Sequence, residues 1–316
     1  MTDRSKILLL IILIFIFSGY LLGHGLTADN YEYFLSKRTP KIIAIILAGV
    51  AIALSSFSFQ TITHNRILTP SIMGFDSLYL LTQVLIVLIA GGLSIVSMDP
   101  YLNFILCVVV MLIFSLTLFH FYFASKRSDI IVLLLLGVVL SQLFSNVANM
   151  LIMMLDPSEF SIVQTNMFAS FTNVKTELVY LCIPIIALTA IALFRMSNTL
   201  NILWLDKDNA TSLGVDVAKV TKRVLLLSSL LIAVSTAMVG PVLFLGLLVT
   251  NLTREWLNTF RHNTLFIACM LVSVLALLSG QFIVEFVFQL QTTLSVVINF
   301  VGGFYFLRML LKNKIA

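Results

Sequence analysis

The sequence predicts an all-α integral membrane protein of about ten transmembrane helices, with both termini cytoplasmic. Of its 316 residues, 60% are apolar and only 10% charged, against about 45–50% and about 25% in globular chains. A bilayer-crossing helix takes about 20 residues, so ten crossings use roughly 200, close to the apolar share. Runs such as Ile130 to Leu140 are apolar without a break, which disfavours a membrane barrel, whose strands alternate apolar and polar positions. The composition also excludes a soluble globular, a disordered and a collagen-like chain.

The first apolar run, Ile7 to Leu22, follows Arg4 and Lys6 and so imitates a signal peptide. No convincing small-residue cleavage site follows it, and nine further apolar segments do, so it is expected to be an uncleaved first span. Those nine are Ile42 to Thr61, Ser71 to Val96, Leu102 to Ala124, Ile130 to Leu155, Leu178 to Leu193, Val224 to Gly240, Val242 to Thr250, Leu265 to Val284 and Leu294 to Leu311. The eighth segment is too short to cross alone unless it extends through Trp256, and is expected to be broken or tilted.

Charge tests this topology. With the N-terminus inside, the inner breaks hold Arg4, Lys6, Arg66, Lys126, Arg127, Arg195, Lys207, Lys219, Lys222, Arg223, Arg254, Arg261, Arg308, Lys312 and Lys314, which is 15 of the 19 basic residues. Lys37, Arg38, Lys41 and Lys175 fall outside. The excess obeys the basic-inside bias, and it accounts for the net charge of +5 without nucleic acid. Two stretches exceed a simple turn: the outer Gly23 to Lys41, and the inner Ser197 to Arg223, whose mixed polarity suits two short amphipathic helices broken at Gly214. The whole chain, 1–316, reads as one transmembrane domain with 197–223 as a cytoplasmic segment within it.

No chemistry of an enzyme is visible. None of the fourteen glycines is followed by lysine, so there is no phosphate-cradling loop ending in Gly-Lys. The histidines His24, His64, His120 and His262 are scattered without an i, i+4 partner, and Cys107, Cys182 and Cys269 sit inside apolar runs at no metal-like spacing. No cofactor or metal is implied. Asp76 and Glu285 lie near segment ends, where an interfacial position competes with a relay role. In the fifth segment Ser141, Gln142, Ser145, Asn146 and Asn149 share a helical face, and the tenth carries Ser295 and Asn299 before Gly302 and Gly303. Such residues either glue helices together or form an uncharged polar wall along a pathway. Met150, Met153 and Met154 read as packing.

Several stretches then resemble a known family, the FecCD-type permeases of binding-protein-dependent ABC importers for iron-siderophores, haem and cobalamin. RTPKIIAIILAGVAIALSSFSFQTITHNRILTPSIMG resembles the family's second span and the loop after it through Arg38, Pro40, Gly49, Gln60, Asn65, Pro70 and Gly74. Arg66 stands where the family has proline, and Lys41 where it has a second arginine, keeping the charge without the forked geometry. LNILWLDKDNATSLGV looks like the coupling segment through Leu200, Asn201, Ala210, Leu213 and Gly214. GPVLFLGLLVTNLTR resembles the stretch ending in Pro-His-x-x-Arg through Gly240, Pro241, Phe244, Gly246, Leu247 and Arg254, with Thr250 and Asn251 replacing Pro-His. VGGFYFLRMLLK, from Val301, matches the family's closing motif. The replaced Pro-His and the phrase TTLSVVINFVGG look most like permeases for petrobactin and anguibactin.

The resemblance implies a type II ABC importer permease with no ATPase of its own. Its implied partners are two cytoplasmic ATP-binding subunits, a second permease, identical or not, and an extracytoplasmic siderophore-binding protein. It places ATPase coupling at Asp206, Asn209, Ala210, Leu213, Gly214 and Val215, and binding-protein docking at Arg38 and Lys41. The translocation path is expected along Gln142, Asn146, Asn149, Ser295 and Asn299. The competing readings are an ion-coupled secondary transporter or channel using Asp76 or Glu285, and a haem or cobalamin permease of the same family.

Overall fold

The computed structural model describes residues 2–27, 30–92, 94, 99–124, 130–172 and 174–312. Lys126, Arg127 and Lys314, assigned above to the inner side, lie outside these residues. Thirteen α-helices, and no strand among the described residues, carry the chain: α1 (Asp3–Gly23), α2 (Tyr31–Thr63), α3 (Phe75–Ala90), α4 (Pro100–Ala124), α5 (Ile130–Ile152), α6 (Pro157–Met167), α7 (Thr176–Arg195), α8 (Ser197–Leu203), α9 (Lys207–Ser212), α10 (Val217–Val239), α11 (Leu245–Trp256), α12 (His262–Phe282) and α13 (Leu294–Lys312). A 3-10 turn, Pro70–Met73, precedes α3, and a π-helical turn, Ile283–Val287, follows α12.

Each of the ten apolar segments contains a helix among the described residues. Seven helices, α1, α2, α4, α5, α7, α10 and α12, are long and apolar enough to cross a bilayer, and α3 and α13 are shorter apolar helices. The eighth segment, α11, has 12 residues, about 18 Å of helix against a hydrocarbon core of about 30 Å. The third segment departs from a continuous span. Pro70, with a fixed φ and no N–H, opens the 3-10 turn, Gly74 ends it at φ 98°, and α3 begins only at Phe75.

The core is built around α2. At 33 residues it is about 50 Å long, longer than a hydrocarbon core of about 30 Å, and residues 51–63 are buried throughout. It packs against α7, α10, α11 and α12. Lipid tails are as apolar as leucine, so helices associate there through close packing of small residues rather than through a hydrophobic drive. That is why Ala44, Ala48, Ala51 and Ala53 are fully buried on this helix. A Cβ at Gly49 would stand 2.9 Å from Cγ2 of Val274 on α12, so only glycine permits this approach. Helix α1 packs on α12 and is otherwise largely exposed, as a lipid-facing helix is.

The two ends of the bundle sort as the charges predicted. At one end Lys6 Nζ donates to the carbonyl of Trp256, and the Asn258 amide approaches Asp3 Oδ1 at 3.4 Å. Arg66, Arg254 and Trp204 gather beside them; this is the inner end. At the opposite, outer end Lys41 pairs with Glu285, Gln281 donates to Glu285, and Gln281 and Lys175 share a cavity wall.

Candidate functional site: an inner coupling face and an outer cavity

The inner segment forms two short helices, but Gly214 does not separate them. The break falls at Trp204–Asp206, between α8 and α9, and Gly214 lies after α9, before α10. Its φ of 82° lets the Val215 amide reach back to the Ala210 carbonyl at 3.0 Å, the left-handed closure that favours glycine at a helix C-terminus. Asp216 then caps α10, its carboxylate accepting from the Lys219 amide at 3.1 Å and pairing with Lys219 Nζ at 2.9 Å. Those two contacts hold the Asp216 carboxyl below its ordinary range.

Of the predicted coupling residues, Ala210 is fully buried and anchors α9, whereas Asp206, Asn209, Leu213 and Gly214 are exposed and Val215 is half-buried. An exposed leucine on a polar two-helix segment is the kind of apolar point that a docking partner covers.

Two side-chain chains tie this face to α2. Asn201 Oδ1 on α8 accepts from the His262 amide at 2.8 Å and from His262 Nδ1 at 2.7 Å, which sets the neutral ring's tautomer. Nε2 lies 3.1 Å from Thr61 Oγ1 on α2. In parallel, the Arg254 guanidinium lies 4.3 Å over the Trp204 ring and 4.5 Å over the Phe57 ring, a cation–π clamp. Behind it Gln60 Nε2 and Asn251 Nδ2 both donate to the Arg66 carbonyl, at 2.8 and 2.9 Å. The amide of Asn251 thus secures the loop at which this chain departs from the family pattern.

At the outer end both predicted docking residues make contacts within the chain. Arg38 donates to the carbonyls of Leu22 at 2.9 Å and His24 at 2.6 Å, with its guanidinium 4.6 Å over Phe34. Lys41 pairs with Glu285, and both side chains are largely shielded. Glu285 is accordingly a structural partner rather than a lone carboxylate. Asp76 is buried, with the hydroxyls of Ser71 and Thr236 as its polar neighbours.

The polar stripe divides. Gln142, Asn146 and Asn149 are exposed on α5, with Gln142 donating to Asn146 at 3.2 Å. Ser295 is buried beside Thr293, 3.2 Å away, and Asn299 accepts from the Phe244 amide at 3.5 Å. No described hydrogen bond joins the two groups, which lie on helices packed against different neighbours: α5 against α3 and α4, α13 against α11 and α12. An outer cavity of about 690 Å³ opens between α3, α4, α6, α10 and α12. Its wall holds an amide network that sequence reasoning missed: Gln83 donates to Asn103 at 2.7 Å, and Asn166 donates to Gln83 at 3.1 Å. Lone amides on separate segments give no periodic signal; a glutamine in the apolar run of α3 was the available hint.

The FecCD transport family profile matches residues 7–312. The chain belongs to the FecCD transport family. It is 46% identical over 314 residues, 99% of each chain, to the petrobactin import system permease protein YclO of Bacillus subtilis (strain 168). It is 34% identical to the petrobactin import system permease protein FatC of Bacillus anthracis, over 89% of this chain and 79% of that one. Its fold is that of an ABC transporter assigned to the metal-chelate type and solved in an inward-facing conformation: TM-score 0.85 at 24% identity, covering 98% of this chain and 100% of the other. This FecCD member is a multi-pass membrane transport protein.

Proposed function

We propose that this chain is the permease subunit of an ABC importer that carries a ferric siderophore into the cytoplasm, driven by ATP hydrolysis on separate subunits. The observation that carries the reading is the inner face. Exposed Asn209, Leu213 and Gly214 stand on a segment wired through Asn201–His262–Thr61 and Trp204–Arg254–Phe57 to the central helix α2. A push on that segment is delivered to the bundle core rather than absorbed in a loose loop. The identity to two petrobactin permeases supports a siderophore of that kind as solute.

The exposed amides of α5 support a path completed by a second permease, which would cover them and let a bulky hydrophilic chelate pass without trapping it by charge. Arg38 and Lys41 belong to the outer docking surface, where an acidic group of the binding protein competes with Glu285 for Lys41. The test is reconstitution: the chain is co-expressed with candidate ATPase, binding-protein and second permease subunits, and uptake of iron-55-loaded petrobactin is measured. Uptake that needs ATP and is lost with Gly214→Trp supports the reading; uptake that survives depletion of ATP or omission of the ATPase overturns it.

A further inference from the structure

The inner end holds a cavity of about 340 Å³ that shares Phe57, Trp204 and Arg254 with the clamp described above, and its wall offers binding groups that the clamp leaves unused. Phe57, Trp204 and Phe260 supply aromatic wall, Arg66 and Arg254 supply charge, and no Asp or Glu lines it among the described residues. Nη1 and Nη2 of Arg254 are both buried and make no hydrogen bond among the described residues. The rings of Trp204 and Phe57, 4.3 and 4.5 Å from Arg254 Cζ, offer their π faces but no hydrogen-bond acceptor oxygen. The N–H edge, which matches a carboxylate or phosphate two bonds at a time, is left unmet. A buried cation with unsatisfied donors is costly, and a second cation on the same wall raises that cost. An anion in the cavity removes both penalties together.

We propose that this cavity is an oxyanion site, taking the carboxylate or phosphate group of a small soluble anion on the Nη edge of Arg254 with Arg66 as the second cation. Trp204 forms part of the wall and caps the C-terminus of α8, at the start of the break that leads to α9, so an occupied site holds the inner segment against α11. The binding claim stands independently of the coupling role assigned to that segment.

The chain's two tryptophans are Trp204 and Trp256, so the W256F protein reports from the cavity wall alone. It is placed in phosphatidylcholine nanodiscs without other subunits and titrated with sodium phosphate or sodium citrate at constant ionic strength. The expected result is a saturable change in Trp204 emission whose midpoint rises at least tenfold in R254Q and stays unchanged in R223Q, which removes an exposed inner charge outside the cavity. A response seen only when phosphatidylglycerol is included, and still dependent on Arg254, assigns the same oxyanion chemistry to a lipid headgroup. R254K keeps the charge and loses the fork, so it replaces R254Q if that variant does not fold, with the same weakening expected. No Arg254-dependent response to either anion or lipid, or one that requires added ATPase subunits, overturns the proposal.

Discussion

Lys41 on α2 and Glu285 in the π-helical turn after α12 form an ion pair that ties together the outer ends of two helices 244 residues apart in sequence. Removing one partner leaves a largely shielded charge unpaired, at about 1–3 kcal/mol for a partly buried site. Glu285→Ala is therefore expected to lower the detergent-phase thermal midpoint, and Lys41→Met with Glu285→Leu to recover most of it. Glu285→Gln, by freeing Lys41, should strengthen binding-protein association at low salt, read by surface plasmon resonance. No change would remove Lys41 from the docking surface.

Gly214 separates a docking effect from a folding effect. A Cβ there meets nothing within 4 Å, so a substitution suffers only the left-handed backbone, about 1–2 kcal/mol. Gly214→Ala should keep ATPase co-purification, whereas Gly214→Trp, adding bulk to the exposed face, should abolish it while the chain still inserts. Equal co-purification of both variants would place the docking surface elsewhere.

The two parts of the polar stripe should fail differently. Asn146→Leu with Asn149→Leu changes exposed positions and is expected to cut siderophore uptake severalfold with little effect on the thermal midpoint. Ser295→Leu puts bulk where the side chain is 2% exposed and should destabilise by about 1–3 kcal/mol through overpacking. Unaltered uptake in the α5 double variant takes that face out of the pathway.

The α10 cap has a definite pH sign. Asp216 titrates below its ordinary range because of Lys219, so its contribution is present above that range and is lost as pH falls through the depressed folded value. Hydrogen exchange at the Lys219 amide should be slower in the parent than in Asp216→Ala near neutral pH, with the difference closing under acid. A difference that persists in acid would mean that the carboxylate is not the cap.

Composition and run length carried the bundle, because an apolar run of about 20 residues answers to bilayer thickness alone. The family motifs singled out the inner segment. What escaped was set by contacts distant in sequence. Glu285 reads as a lone carboxylate until the fold brings Lys41 to it. The break at Trp204–Asp206 is invisible beside a glycine that advertises one ten residues later. The Gln83–Asn103–Asn166 network joins three helices, none of which shows a polar periodicity. Arg254, read only as a motif match, turns out to hold the aromatic clamp beneath the inner face.

The exposed face of α5 has a consequence for biogenesis. Gln142, Asn146 and Asn149 lie open on a helix long and apolar enough to cross a bilayer, where polar side chains facing lipid are expensive. On the proposed assembly, a newly inserted copy that lacks its covering permease is therefore a misfit in the bilayer even when its own fold is complete. Such an uncovered copy is what membrane quality-control proteases would be expected to find.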